Sequence, residues 1–123
     1  MDDAGIFLDQ LRENLNRISD CLMLLDDILY RKIQAKEARV RLLDSIIRFT
    51  SDSGLSPERR NHEIERRLRE RQDCERIIRQ LKNEKRSVTR FQSCISGYYI
   101  TMFDILWDEH MDNENGQDML FQQ

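Results

Sequence analysis

Residues 7–29 read Phe-Leu-Asp-Gln-Leu-Arg-Glu-Asn-Leu-Asn-Arg-Ile-Ser-Asp-Cys-Leu-Met-Leu-Leu-Asp-Asp-Ile-Leu, and within them Leu8, Leu11, Leu15, Ile18, Leu22, Leu25 and Leu29 recur at alternating intervals of three and four. An apolar side chain about every 3.5 residues keeps one face of a helix turned toward another helix. The spacing therefore predicts a helical seam, and no catalytic signature elsewhere in the chain rivals it in regularity.

Upstream of this stretch, Asp2 and Asp3 suit the positive end of a helix dipole. Downstream, neither Gly nor Pro interrupts the chain between Gly5 and Ser53. Residues 1–5 are expected as a lead-in and residues 6–50 as one helix, roughly 68 Å long at ~1.5 Å per residue. After Leu29 the next apolar residue, Ile33, lies four along instead of three, and Lys36, Val40, Leu43 and Ile47 continue from it in a displaced register. A four-residue insertion of this kind locally unwinds a supercoil, so the helix is expected to be straighter near Tyr30 to Lys36. Phe7, Cys21, Ile28 and Ile46 flank the seam, while Met23 and Leu24 lie nearly opposite it. A helix that is apolar most of the way round is covered by more than one neighbour. The plainer alternative is a two-helix hairpin with a few exposed leucines.

Residues 51–57, Ser-Asp-Ser-Gly-Leu-Ser-Pro, form the only turn-rich segment. Ser56 before Pro57 is the usual pairing of an N-cap with a first-turn proline, and a connection this short favours antiparallel neighbours. A second helix is expected over 58–111. Its seam is read as Ile64, Leu68, Cys74, Ile78, Leu81, Val88, Phe91, Ile95, Tyr98, Met102 and Ile105. From Tyr98 to Trp107 it becomes apolar on most faces through Tyr99, Ile100, Phe103, Leu106 and Trp107. Residues 112–123 are expected as an acidic, flexible tail, in which Met119, Leu120 and Phe121 offer a docking handle.

Composition limits the function. The chain has 123 residues, one Pro, four Gly and 35% charged residues, and its 39% hydrophobic content is too low for a large self-contained core. Burial is expected to come from partners. Cys21, Cys74 and Cys94 lie far apart, with no close pair to suggest zinc, a redox couple or a disulfide framework. They read as reduced, semi-buried residues. With an acidic start and no apolar run near the ~20 residues of a membrane span, a cytoplasmic or nuclear location is expected.

No nucleophile elbow, dinucleotide fingerprint or Walker loop occurs. His62 stands among Arg59, Arg60 and Glu63 and reads as a solvated histidine. His110, with Asp108, Glu109, Asp112 and Glu114, lacks the ligand order of a calcium loop. No metal, cofactor or enzyme activity is expected. Arg59 to Arg90 is the most basic run, with 12 Lys/Arg, and Arg66, Arg67, Arg69 and Arg71 are its candidates for contacting a phosphate or an acidic partner. Glu58, Glu63, Glu65, Glu70, Asp73, Glu75 and Glu84 accompany it, many three or four residues from an Arg, which is the pattern of helix-stabilising pairs. Residues 30–78 carry 13 basic and 9 acidic residues, the rest of the chain 7 and 14. Ser56-Pro57-Glu58-Arg59 looks like the substrate motif of proline-directed kinases, so Ser56 is a candidate phosphorylation site, favoured by the free N–H groups of a helix start.

The expected fold is all-α: a long antiparallel two-helix hairpin that forms a coiled coil or helical bundle through oligomerisation. The expected function is a non-enzymatic scaffold or adaptor subunit mediating protein–protein assembly in a multi-subunit complex, with itself or other helical subunits as partners. Its candidate partner-binding residues are Leu8, Leu11, Leu15, Ile18, Leu22, Leu25, Leu29, Phe91, Ile95, Tyr98, Met102, Phe103 and Trp107. By architecture alone it resembles the small helical subunits of eukaryotic tethering, organelle-positioning or kinetochore complexes. The alternative, with nucleic acid the less favoured partner, is a nucleic-acid or nucleoprotein-associated factor, such as a viral accessory protein, using the Arg-rich face of the second helix.

Overall fold

The computed structural model describes the backbone of residues 3–121 and the side chains of residues 3–109. Helix α1 spans Asp3–Ser51, helix α2 spans Pro57–Phe121, and the two pack against each other with no strand among the described residues.

Both ends of the connection are closed by local hydrogen bonds. At the end of α1, the Ser51 hydroxyl donates to the Ile47 carbonyl at 2.9 Å, Asp52 N to Arg48 O at 3.2 Å, and both Ser53 N and Ser53 Oγ to Thr50 O. The bonds to Arg48 O and Thr50 O satisfy carbonyls that a helix terminus would otherwise leave without partners. At the start of α2, Arg60 N donates to Ser56 O at 2.9 Å and Arg59 N approaches Ser56 Oγ at 3.5 Å, so Ser56 stands at the cap before Pro57.

Helix α2 runs on through the polar residues expected to end it, to Phe121. No Pro follows Pro57 to remove a backbone donor, and Gly116 costs a helix only about 1 kcal/mol relative to Ala. The proposed docking role of Met119, Leu120 and Phe121 lies outside the described side chains, as do His110, Asp112 and Glu114. Met1, Asp2, Gln122 and Gln123 lie outside the described residues altogether.

The chain divides into two compact units: a turn unit, Leu24–Val88, and a terminal unit, Met1–Met23 with Thr89–Gln123. In the turn unit, Leu29, Ile33, Leu43 and Thr50 of α1 and Cys74, Ile78 and Val88 of α2 are buried. Asp26, Lys36, Val40 and Ile47, and opposite them Ile64, Arg67, Arg71, Leu81 and Lys85, are partly buried at the intervening positions. Leu43 is fully enclosed, and such burial of a leucine contributes about 1.5–3 kcal/mol. In the terminal unit, Leu15 and Met102 are buried, with Leu8, Ser19, Leu22, Gln92, Ile95 and Tyr99 partly buried.

Along α1 the covered positions 15, 19, 22, 26, 29, 33, 36, 40, 43, 47 and 50 keep one alternation of four and three. The displacement expected after Leu29 is absent from this row, because it passes through Ser19 and Asp26 and not through Ile18 and Leu25. Along α2 the covered row is 64, 67, 71, 74, 78, 81, 85, 88, 92, 95, 99 and 102. Arg67 and Arg71 fall on it where the apolar pattern suggested Leu68. Gln92 and Tyr99 take the places read as Phe91 and Tyr98. Leu68, Phe91, Tyr98 and Ile105 are exposed.

Candidate partner-binding surface

The residues expected to bind a partner divide between the two sides of this packing. Leu8, Leu15, Leu22, Leu29, Ile95 and Met102 face the other helix of the same chain, buried or partly buried. Leu11, Ile18, Leu25, Phe91, Tyr98, Phe103 and Trp107 are exposed, Phe91, Tyr98 and Phe103 by more than 60%.

The exposed members on α1 belong to a row that periodicity alone did not separate from the seam. Positions 7, 11, 14, 18, 21, 25, 28, 32, 35, 39, 42, 46 and 49 again alternate by four and three, beside the covered row, and all are exposed except 39 and 46, which are partly buried. They carry Phe7, Leu11, Asn14, Ile18, Cys21, Leu25, Ile28, Lys32, Ala35, Arg39, Leu42, Ile46 and Phe49. Phe7 is 63% exposed, Leu42 50% and Phe49 78%. Exposed apolar side chains predominate along this row in each of the two units, interrupted by Asn14, Lys32 and Arg39.

In the terminal unit the apolar surface continues onto α2. A groove of about 230 Å³ is lined by Leu8, Leu11 and Leu15 of α1 and by Tyr98, Thr101, Met102 and Ile105 of α2. A second hollow is formed by Arg12, Tyr99, Ile100, Met102, Phe103 and Leu106. The rings of Phe103 and Trp107 stack with centroids 6.5 Å apart. Between the helices the Tyr99 hydroxyl donates to Asn16 Oδ1, which gives the tyrosine's polar end a partner while its ring packs in the seam.

The turn unit is flanked by charge pairs. Arg39 donates to Glu70 Oε1 through Nε at 2.9 Å and Nη2 at 2.5 Å, Lys82 meets Glu37 at 3.4 Å, and Lys85 meets Asp26 at 3.1 Å. Arg71 Nε donates to Asp44 at 2.7 Å. The hydrogen bond from Arg39 holds the Glu70 carboxyl below its ordinary pKa, and the bond to Asp44 raises that of the Arg71 guanidinium.

All four arginines singled out as phosphate contacts have carboxylate partners: Arg66 with Glu63, Arg67 with Glu70, Arg69 with Glu65, and Arg71 with Asp44 and Glu75. Arg67 Nε is in addition buried without a hydrogen-bond acceptor. Guanidinium groups so engaged have less free charge with which to displace counterions from a phosphate backbone.

A shallow hollow beside the turn brings together Leu55, Glu58, Arg59, His62 and Glu63, with no Ser or Cys among its lining residues. No group of three metal-capable side chains occurs among the described residues, and none of the described helices is long and apolar enough to cross a membrane. Cys74 is buried, whereas Cys21 and Cys94 are exposed, and all three are free thiols. The chain matches no family model, no curated protein and no solved structure.

Proposed function

We propose that this chain is a non-enzymatic helical scaffold or adaptor subunit that mediates protein–protein assembly by coiled-coil packing, as part of a helical bundle in a multi-subunit complex of the cytoplasm or nucleus. The observation that carries the reading is the exposed row on α1. Ten of its thirteen positions, from Phe7 to Phe49, hold apolar residues, whereas the row 8, 12, 15 and onward to 50, which faces α2, holds apolar residues at eight of thirteen. A helix with a second seam at least as apolar as the one its own hairpin covers is built for another helix. The stacked and exposed pair of Phe103 and Trp107 supplies the large, rigid side chains that dominate binding energy at interfaces.

The test is the mass of the purified chain in solution, alone and mixed with candidate helical subunits, followed by titration of variants. Trp107→Ala is expected to weaken partner binding roughly 30-fold, the equivalent of ~2 kcal/mol for an aromatic anchor. Arg66→Ala is the control, because its pair with Glu63 lies exposed at one helix surface. A well-folded monomer that binds no helical partner contradicts the proposal. Oligonucleotide binding that falls steeply with salt, and is lost in Arg66→Ala, would replace it with nucleic-acid recognition.

A further inference from the structure

The exposed row on α1 is self-complementary in one direction. Laid against an identical row running the other way, with Leu25 opposite Ile28, it brings Leu11 opposite Leu42 and Phe7 opposite Ile46. Ile18 then meets Ala35. The two polar interruptions Asn14 and Arg39 meet each other; Glu70 holds Arg39 through Nε and Nη2, which leaves Nη1 to donate to the Asn14 amide oxygen. Moving the alignment by one heptad loses this in either direction: one way Ile28 faces Lys32 and Asn14 faces Ile46, and the other way Phe7 faces Arg39.

Charge points to the same orientation. Residues 3–27 of α1 carry six acidic and two basic side chains, and residues 28–51 carry two acidic and six basic. Antiparallel pairing sets the acidic half of each copy along the basic half of the other, while parallel pairing sets like on like and brings Lys32 onto Lys32. Complementary fields speed encounter and fix orientation, and like-charge juxtaposition disfavours the alternative.

We propose that a second copy of this chain occupies the exposed row of α1, antiparallel and centred on Leu25 and Ile28, in a two-fold symmetric dimer. A two-fold contact of this kind is isologous, so one self-complementary surface builds the whole interface. The proposal rests on the assembly role above and names its first partner.

The native thiols supply the test. In this alignment exposed Cys21 faces Lys32 of the other copy, within disulfide range for a core layer of paired helices. With Cys94→Ser in the full-length chain to silence the other exposed thiol, Lys32→Cys is expected to yield a covalent dimer on mild oxidation. Cys94→Ser alone and Cys94→Ser with Arg39→Cys are expected to remain uncrosslinked. A Cys21 to Cys21 bridge would mean parallel pairing, and bridging by the Arg39→Cys variant a shifted alignment; either overturns the proposal, as does failure of Lys32→Cys to crosslink.

Leu25→Glu gives an independent readout, because Leu25 is exposed in the single chain and the change spares the hairpin seam. Light scattering should show a dimer becoming a monomer with helical content retained by circular dichroism, whereas Tyr98→Asp should leave the dimer intact. If Tyr98→Asp dissociates the dimer and Leu25→Glu does not, this face is wrong and the assembly role stands. If the unmodified chain is a monomer, the second copy is excluded, and binding to other helical subunits decides the broader role separately.

Discussion

Arg71 of α2 holds Asp44 of α1 through Nε at 2.7 Å while its Nη1 reaches Glu75 on its own helix at 2.5 Å, so one guanidinium ties together carboxylates from both helices. Arg71→Met should lower the melting temperature, because it leaves Asp44 and Glu75 as neighbouring unneutralised charges. Arg71→Lys should fall between the two, since an ammonium keeps the charge and loses the planar fork. Thermal unfolding followed by circular dichroism at neutral pH orders the three proteins. A melting temperature unchanged in Arg71→Met would mean that the pair adds nothing across the helices.

Glu70 makes a prediction about pH. Arg39 holds its carboxyl below the ordinary value of 4.5 in the folded chain. A group whose folded pKa is depressed stabilises the fold above its unfolded pKa, and that contribution disappears as pH falls through the lower folded value. Glu70→Gln should therefore destabilise the hairpin at pH 7 and converge on the unmodified chain as pH drops below 4.5. Paired melting curves across that range check it, and a gap that widened in acid would reverse the assignment.

Tyr98 and Tyr99 are adjacent and have opposite duties. Tyr99 is partly buried in the seam with its hydroxyl on Asn16, while Tyr98 is 62% exposed at the groove. Tyr99→Phe should cost about 0.5–1.5 kcal/mol for the lost hydrogen bond, and Tyr98→Phe should change stability by less than ~0.5 kcal/mol. Chemical denaturation of the two variants makes the comparison. Equal losses would mean that the seam does not distinguish the two positions.

Ser56 sits before Pro57 at the start of α2. Ser56→Ala should cost about 1 kcal/mol, the usual value of an N-cap, while Ser56→Asp should retain most of the stability. A phosphate at this position would meet the positive end of the α2 dipole and should raise the melting temperature without changing the mass of the assembly. Loss of partners on phosphorylation would place the turn inside the interface.

The two helices and their connection were legible because they depend on local signals: the absence of Gly and Pro from residues 6–50, and the Ser-Pro cap after a Gly-containing turn. Half of the seam was legible as well, since Leu8, Leu15, Leu22 and Leu29 face α2 as their spacing suggested. The other half was not. Between those leucines the chain offers two neighbouring rows, one with Leu11, Ile18 and Leu25, the other with Arg12, Ser19 and Asp26, and hydrophobicity favours the first. The hairpin covers Ser19 and Asp26, because Asp26 finds Lys85 across the interface, a partner that a single helix's periodicity cannot reveal. The same difficulty recurs on α2, where Arg67 and Arg71 enter the seam with acidic partners and displace Leu68. The stretch of α2 beyond Met111 escaped for another reason: a polar run without Pro resembles a helix end in composition while remaining compatible with helix.

The pair of Asp26 and Lys85, 3.1 Å apart and each about one third exposed, has a consequence beyond its own attraction. Two helices with a seven-residue repeat can be laid together in several alignments that differ by a whole heptad and bury similar numbers of leucines and isoleucines. Sliding one way sets Asp26 against Ile78, and sliding the other sets Lys85 against Ile33, leaving in each case a partly covered charge with an apolar neighbour. Removing the partner of a covered charge costs more than forming the pair gains, so the energetic weight of these two residues falls on the wrong alignments. They act as one index mark on an otherwise repetitive scale: replacing both by leucine should leave a hairpin that melts no lower, with its alignment then resting on the pairs of Arg39 with Glu70, Lys82 with Glu37 and Arg71 with Asp44.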